Sequence, residues 1–332
     1  MFDKVKFSII IPFQEPSEYL YECLDYIQRQ SYTNYEVILL PDRQKIQMLK
    51  LVQHDISSVK VIPTGQVGPA EKRDRGIHKA TGEILAFIDD DAYPDKDWLK
   101  NALKYFIDPE ISAVCGPGVT PSSDDIFQQA SGWVNQLWFG SGGAGTYRFT
   151  PQERRFVDDY PSMNFLVRKE DFEKAGGFDT HFWPGEDTKL CHDLVYILKK
   201  KIIYDPKVLV FHHRKPLFLP HLRQISRYAL HRGHFARILP ATSFRIGYLI
   251  PTFFVLFLTV GFLISLNFIS LLPLYLGVII LYLGLLTGNI VYVILKTRSI
   301  LISVLTGCGI LLTHVVYGLL FPIGFLKKSL KQ

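Results

Sequence analysis

Four short apolar runs punctuate the N-terminal third of the chain: "FSIIIP", "YEVILLP", "VKVIP" and "EILAFID". Each ends at Pro or Asp, the pattern of a buried strand leaving the core. Between them the spacing predicts helices over Glu18 to Gln30, Arg43 to His54 and Glu71 to Ala80. Strands alternating with helices argue for an α/β fold with a mostly parallel central sheet covered on both faces. In open sheets of this kind, ligands bind beyond the carboxyl ends of the strands. Phe13, Gln14 and Glu15, then Asp42, then Asp89, Asp90 and Asp91 are therefore expected along one rim.

The pattern changes after residue 240. "IGYLIPTFFVLFLTVGFLISL" and "YLGVIILYLGLLTGNIVYVIL" are uncharged, each about the twenty residues needed to cross hydrocarbon. A third run, "ILISVLTGCGILLTHVVYGLLFPIGFL", is similar but contains His314 and several glycines. About three transmembrane segments are expected, against the alternative of buried helices in a large soluble core. Three parts follow: a catalytic-type domain over 1–215, a basic amphipathic, interfacial segment over 216–243, and a membrane domain over 244–332.

Charge supports that division. The 332 residues carry 37 Lys and Arg against 31 Asp and Glu, a net +6. Six of the basic residues (Arg245, Lys296, Arg298, Lys327, Lys328 and Lys331) lie beyond residue 240, where there is no acid. The excess therefore flanks apolar runs, which points to membrane anchoring and not to nucleic acid. The N-terminal apolar run is too short for a signal peptide. The expected location is the cytoplasmic membrane, with the N-terminal domain facing the cytosol. Cys23, Cys115, Cys191 and Cys308 are widely spaced, which fits a reducing compartment.

Candidate chemistry begins where "ILAFIDDDA" runs from apolar residues into three acids. Packed like charges need an offset, either a divalent cation or exposure to water. "GPAEKRDRGIHK" offers counter-charge: Lys72, Arg73 and Arg75 open a helix after a Gly-Pro turn. Cations there oppose the helix dipole, so an anion is expected nearby. No GxxxxGK[ST] loop is present, which excludes a P-loop reading.

"FSIIIPFQE", "GPAEKRDRGIHKATGEILAFIDDDA", "AGGFDTHFWPGEDTKL" and "VLVFHHR" resemble, in order, the motifs of family 2 glycosyltransferases of GT-A fold. The resemblance covers about residues 5 to 215. The segment after it resembles the tail of membrane-anchored members that build bacterial exopolysaccharides and surface glycans. It implies a nucleotide-sugar donor held by Pro12, Phe13, Glu15, Asp42, Lys72, Arg73 and Asp89. It also implies Mg²⁺ or Mn²⁺ on Asp91, with His212 joining, since oxygen-rich ligand sets suit both ions. Asp187 is implied as general base, with Glu186 beside it in the acceptor pocket. Adjacent carboxylates can raise one pKa toward neutrality, as a base requires. Asn164 in "SMNFLVRKEDF" is implied as a sugar contact.

"QISRY" (Gln224, Arg227, Tyr228) resembles the QxxRW motif of processive synthases, with Tyr replacing Trp. The membrane region is short for a polymer channel. The expected reaction is therefore an inverting, metal-dependent transfer of one sugar to a lipid-linked saccharide acceptor at the bilayer. The alternatives are a processive synthase and a catalytically silent nucleotide-sugar-binding scaffold. Three positions depart from the family pattern: Gln14 stands for Asn, Pro41-Asp42 for an Asp pair, and Asp74 for Asn. "GSGGAGTYR" reads equally as a loop folding over the donor or as a plain connection.

Overall fold

The computed structural model describes residues 5–43, 58–143, 145–182 and 185–329. By packing, the chain divides into two compact units: Met1–Val119 with Thr150–His212, and Thr120–Phe149 with His213–Gln332. Residues 120–149, expected inside the N-terminal domain, thus pack with the C-terminal helices.

The strands of the first unit are β1 (Phe7–Pro12), β2 (Tyr35–Leu40), β3 (Val59–Val61), β4 (Ile84–Ile88), β5 (Ala92–Pro94), β6 (Ile111–Cys115), β7 (Gly118–Val119), β8 (Arg155–Val157), β9 (Asn164–Arg168), β10 (Lys201–Tyr204) and β11 (Val210–His212). Along the whole chain, the longer helices are α1 (Glu18–Gln28), α2 (Pro69–Ile77), α3 (Trp98–Leu103), α4 (Ile126–Gln136), α5 (Lys169–Lys174), α6 (Glu186–His192), α7 (Leu219–Ile238), α8 (Ile246–Asn267), α9 (Leu272–Thr297) and α10 (Ile300–Leu326). The helix expected over Arg43 to His54 falls outside the described residues, apart from Arg43 itself.

Eight strands make one sheet in the order β3-β2-β1-β4-β9-β6-β10-β8. The four strands read from the sequence are its parallel half. β9 runs antiparallel between β4 and β6, so the sheet is mixed beyond β4. A second sheet, β5-β11-β7, stands beside the tip of β4. β1 and β4 are buried along their full length, which explains their unbroken apolar runs. α1 starts at Ser17, whose hydroxyl accepts from the Leu20 amide at 3.2 Å. It buries Leu20, Cys23, Leu24 and Ile27, one stripe at helical spacing.

One polar cluster interrupts this core. Glu36 on β2 is fully buried. It accepts from the Ser8 hydroxyl at 2.7 Å and from the Thr81 amide and hydroxyl at 2.6 and 2.9 Å. Lys60 lies 2.7 Å from its other oxygen. Burial alone would raise this carboxyl's pKa, but those partners outweigh it and hold the pKa at about 2.

In the second unit, α8, α9 and α10 are each long and apolar enough to cross a membrane. α4, Leu217, the end of α9 and α10 share a small core of Ala130, Val134, Leu137, Leu217, Val293, Ile302 and Ile310. α7 is the helix expected over the basic segment, and one of its faces is covered by α10. A Cβ on Gly233 would stand 2.0 Å from the Phe321 carbonyl, and one on Gly324 2.0 Å from that of Leu230. Only glycine permits these two approaches. His221 is buried between the hydroxyls of Ser131 (2.8 Å) and Thr313 (3.0 Å). The glycine-rich stretch is a tight turn of this unit, with Gly142 and Gly143 at φ 67° and 74°. Ala144 within it lies outside the described residues.

Glu36 gives the fold a pH signature. Its pKa is lowered from the ordinary 4.5 to about 2 on folding, so its stabilisation is complete above the unfolded value and disappears as pH falls through the folded one. Replacing Glu36 by Gln is expected to lower the unfolding temperature most near neutral pH. The gap to wild type should narrow between about pH 4.5 and 2. Thermal unfolding in detergent across that range reads it, and a gap independent of pH would count against the assignment.

Candidate active site

The parallel strands end on one rim, and the expected residues gather there. Asp42 follows β2, and its amide donates to the Gln14 carbonyl at 3.2 Å. Phe13 is buried and joins β2 through its amide, 3.2 Å from the Leu40 carbonyl. Pro12 is buried too, whereas Glu15 is exposed. Pro12 and Phe13 therefore shape the rim with backbone.

α2 starts at Pro69, directly under this rim, and two of its three cations are almost fully buried: Lys72 is 2% exposed and Arg73 3%. The Lys72 ammonium donates to the Phe13 carbonyl at 2.8 Å and pairs with Asp42. Arg73 reaches Asp89 at 2.6 Å and Glu186 at 3.6 Å, with its guanidinium 5.7 Å from the centre of the Phe178 ring. The anions expected beside these cations are thus the protein's own carboxylates. Lys72 and Arg73, expected on the donor side, are each paired with a carboxylate of the protein.

Asp89, Asp91 and His212 form a group whose ligand atoms all lie within 4.8 Å of one another. Strand register brings them together. In the antiparallel β5–β11 pair, His212 lies opposite Ala92, so the residue before Ala92 falls beside the imidazole. His212 Nε2 is 3.1 Å from Asp91 Oδ1. Two carboxylates and an imidazole at the end of a buried strand could hold a divalent cation. Asp90 is outside the group. Asp89, expected on the nucleoside side, belongs to it, although Arg73 holds one of its oxygens. His213 turns elsewhere, to Asp124 at 2.5 Å in the second unit.

Glu186 and Asp187 open α6. Gly185 precedes them at φ 144°, a conformation that favours glycine. Glu186 is buried and accepts from the Gly185 amide at 2.9 Å. Asp187 is half-buried and accepts from the Thr188 amide at 2.7 Å. Trp183 and Pro184 lie outside the described residues.

Asp74 is a positioning residue that the sequence marks only as a departure. It accepts from the Phe178 amide at 3.1 Å and so ties the Gly176-Gly177 turn to α2. Burial pushes its carboxyl up to about 6, against the opposing effects of that amide and of Arg73. Phe178, which carries the Arg73 guanidinium, had no separate signal beyond its place in "AGGFD".

Asn164 is corrected. It is fully buried, accepting from Trp98 Nε1 at 2.8 Å and donating to the carbonyls of Gly116 (2.6 Å) and Val208 (2.8 Å). With its amide committed three ways, it is a tie between β9, α3 and the β6–β7 turn, not a sugar contact. Gln224, Arg227 and Tyr228 lie on α7 in the second unit, where Gln224 donates to the Tyr228 hydroxyl at 3.0 Å.

The sequence matches the model of glycosyl transferase family 2 over residues 8–176. The chain belongs to that family. Glycosyltransferase AglE of Haloferax volcanii is 26% identical over 208 residues, covering 58% of this chain and 62% of that protein. The Methanococcus voltae dolichyl N-acetyl-alpha-D-glucosaminyl phosphate 3-beta-D-2,3-diacetamido-2,3-dideoxy-beta-D-glucuronosyltransferase is 23% identical, covering 68% of this chain and 72% of its own. The pre-mycofactocin glycosyltransferase of Mycobacterium tuberculosis is 29% identical over 152 residues, but the match spans only 31% of its length. Among solved structures, the mannosyltransferase PcManGT of Pyrobaculum calidifontis, in complex with GDP-Man and Mn²⁺, aligns with a TM-score of 0.51 and 21% identity. That alignment covers 70% of this chain and 64% of that one, and it assigns the GT-A fold to this family 2 glycosyltransferase.

Asn164 separates folding from chemistry. Asn164→Ala leaves the Trp98 indole and the Val208 carbonyl without this partner, at about 1–3 kcal/mol for each unsatisfied group, while the Gly116 carbonyl keeps the Tyr160 hydroxyl at 2.6 Å. The expected result is a large drop in unfolding temperature, with the affinity for nucleoside diphosphate unchanged in the fraction that remains folded. Calorimetry and a binding titration on the same preparation check both halves.

Proposed function

We propose that this protein is an inverting, metal-dependent glycosyltransferase that moves one sugar from a nucleotide-sugar donor to a lipid-linked saccharide. One observation carries the reading: Arg73 ties the acid at the tip of β4 to the acid that opens α6, within 2.6 and 3.6 Å. A group fit for a divalent cation and a pair of acids fit for proton uptake are therefore neighbours.

The reaction needs a departing nucleoside diphosphate and an acceptor hydroxyl that loses its proton. The bond from the anomeric carbon to the phosphate oxygen breaks while a bond to the acceptor oxygen forms on the opposite face. Asp91 and His212, with Asp89, would hold Mg²⁺ or Mn²⁺, whose charge offsets that of the leaving diphosphate. The GDP-Man and Mn²⁺ of the Pyrobaculum relative favour this assignment. Asp187 takes the acceptor proton. Of the two acids, Glu186 is buried and paired with Arg73, whereas Asp187 is the more open. Pro12, Phe13, Glu15 and Asp42 form the nucleoside side. Lys72 and Arg73 act by fixing Asp42 and Asp89.

The lipid-linked acceptor is supported by the three long apolar helices and by the dolichyl-phosphate substrate in the name of the Methanococcus relative. Gln224, Arg227 and Tyr228, at helical spacing on basic α7, suit the acceptor's phosphate and first sugar. The cytoplasmic face of the membrane is where such donors and acceptors meet.

Full-length protein in lipid nanodiscs, with Mn²⁺ and a panel of nucleotide sugars, tests the reading against a lipid-linked saccharide and the same saccharide without lipid. One sugar should be added to the lipid-linked form and far less to the free one. Equal rates would sink the lipid-acceptor assignment, and a ladder of long products would favour a processive synthase.

Asp187→Asn keeps the shape of the site but removes proton uptake. It is expected to lower kcat by about a hundredfold or more while leaving donor affinity unchanged. Turnover near wild type would mean that another group is the base.

A further inference from the structure

We propose that α10 does not cross the bilayer: it lies along the membrane surface, at the base of a hairpin formed by α8 and α9, which alone enters the hydrocarbon. The C-terminal tail then returns to the side of the membrane that carries Arg245, Lys296 and Arg298.

The hairpin is defined by its aromatic pairs. Phe254 stacks on Tyr282 at 4.3 Å, and Phe257 on Tyr275 at 5.1 Å, so α8 and α9 run antiparallel. A third span would follow α9 back upward, staying parallel to α8 as far as the hairpin tip. α10 does not. It meets α9 at Gly307, where a Cβ would touch Ile290, and at His314, whose Nδ1 is 3.0 Å from the Tyr282 hydroxyl. It then meets α8 at Gly318, against the Pro251 carbonyl near the start of that helix. From Thr313, whose hydroxyl is 3.0 Å from His221 Nε2, it also packs on α7, and beyond Gly318 it does so through Phe321 against Gly233 and Gly324 against Leu230. Its end is held there too, since the Lys327 carbonyl accepts from His234 at 3.0 Å and from Arg237.

That partner decides the matter. α7 carries Arg223, Arg227, Arg232 and Arg237. If α10 spanned the bilayer, these arginines would enter the hydrocarbon beside it, which is strongly disfavoured. The peptide at Phe139 would go with them, because its carbonyl is 2.8 Å from His314 Nε2 at the middle of α10. Irregular backbone at that depth is tolerated only when protein surrounds it.

Burial fits the same picture. In the most apolar 18-residue stretch of α8 and of α9 only 6% of residues are buried, as lipid-facing spans should be, whereas in that of α10 the share is 44%. One apolar stripe of α10, from Leu301 and Val304 through Leu311 and Leu319 to Ile323, remains exposed. The opposite stripe, Ile302, Thr306, Ile310, Thr313 and Phe321, is buried in protein. An interfacial helix sinks its apolar face about 5–10 Å into the headgroup boundary, and here the face normally turned to water is covered by α4 and α7. Charge agrees: every Lys and Arg beyond residue 240 then falls on one side, as the positive-inside bias favours, whereas three spans would strand Lys327, Lys328 and Lys331 on the other.

The test uses the full chain in a Cys308→Ser background. Ser329→Cys reports the tail and Glu18→Cys the catalytic domain, each treated with a membrane-impermeant maleimide in intact and in permeabilised cells. Both should react only after permeabilisation. Reaction of Ser329→Cys in intact cells, with Glu18→Cys protected, overturns the proposal. Spin labels placed singly at Leu301, Leu311, Leu319 and Ile323, in phosphatidylglycerol-containing vesicles, should report one shallow depth along the helix. A profile deepest at Leu311 and shallow at both ends would mean that α10 spans, and labels shielded from both oxygen and a polar nickel reagent would mean that protein covers the stripe. Either result overturns the proposal.

Discussion

The first unit depends on one buried cation. Arg73 sits in α2 with 3% of its surface exposed and bridges Asp89, at the tip of a central strand, to Glu186, at the start of a helix more than ninety residues later in the chain. Without it, Asp89 at the end of β4 and the buried Glu186 would each lose the guanidinium now beside it. Removing one partner of such a pair typically costs about 3–5 kcal/mol, because the other charge stays buried. The neighbouring residue repeats the device: Lys72 fixes the tips of β1 and β2 through Phe13 and Asp42. Two consecutive side chains of one short helix thereby hold the whole rim. Their placement depends on small residues, since Gly76 lets α2 approach the Leu40 side chain on β2 closely.

This arrangement explains what the sequence made legible and what it concealed. β1 to β4 were readable because strands buried on both faces need unbroken apolar runs. β9 was not, because "NFLVR" is short and its direction is set by its neighbours β4 and β6. The acids announced themselves by clustering. The burial of Lys72 and Arg73 did not, because a charge at a helix start looks the same whether it meets a ligand or its own fold. His212 became a site residue through family resemblance alone. Its proximity to Asp91 comes from the β5–β11 register, a pairing of two three-residue strands that no local pattern marks. Asn164 too was assigned by resemblance, and what no local pattern marks is its full burial, with its amide bonded to Trp98, Gly116 and Val208.

The membrane region shows the limit of hydropathy. α9 and α10 have nearly the same length, 29 and 27 residues as apolar segments, and similar mean hydropathy, 2.3 and 2.0. Their glycines differ in use. A Cβ on Gly277, Gly284 or Gly288 of α9 would meet nothing within 4 Å, whereas those on Gly307, Gly309, Gly318 and Gly324 of α10 would all collide with another element. Glycine on a lipid-facing span is merely tolerated; on α10 it is what permits close packing. A window average counts both alike, so apolar length identifies affinity for the bilayer and leaves open the direction in which the helix lies.

Connectivity then links membrane and chemistry. The chain passes between its two units three times, at 119–120, 149–150 and 212–213. The last passage separates two consecutive histidines, His212 in the acidic group and His213 paired with Asp124. A domain tethered once by a flexible linker samples a large volume, whereas three covalent passages leave it fewer arrangements. An acceptor confined to the same surface by its lipid meets such a domain at a higher effective concentration than a soluble one does. The advantage comes from tethering and needs no extra contact to the acceptor's sugars. On the proposed function, selectivity for a lipid-linked acceptor belongs to the unit with the long apolar helices, and donor selection to the rim of the first unit.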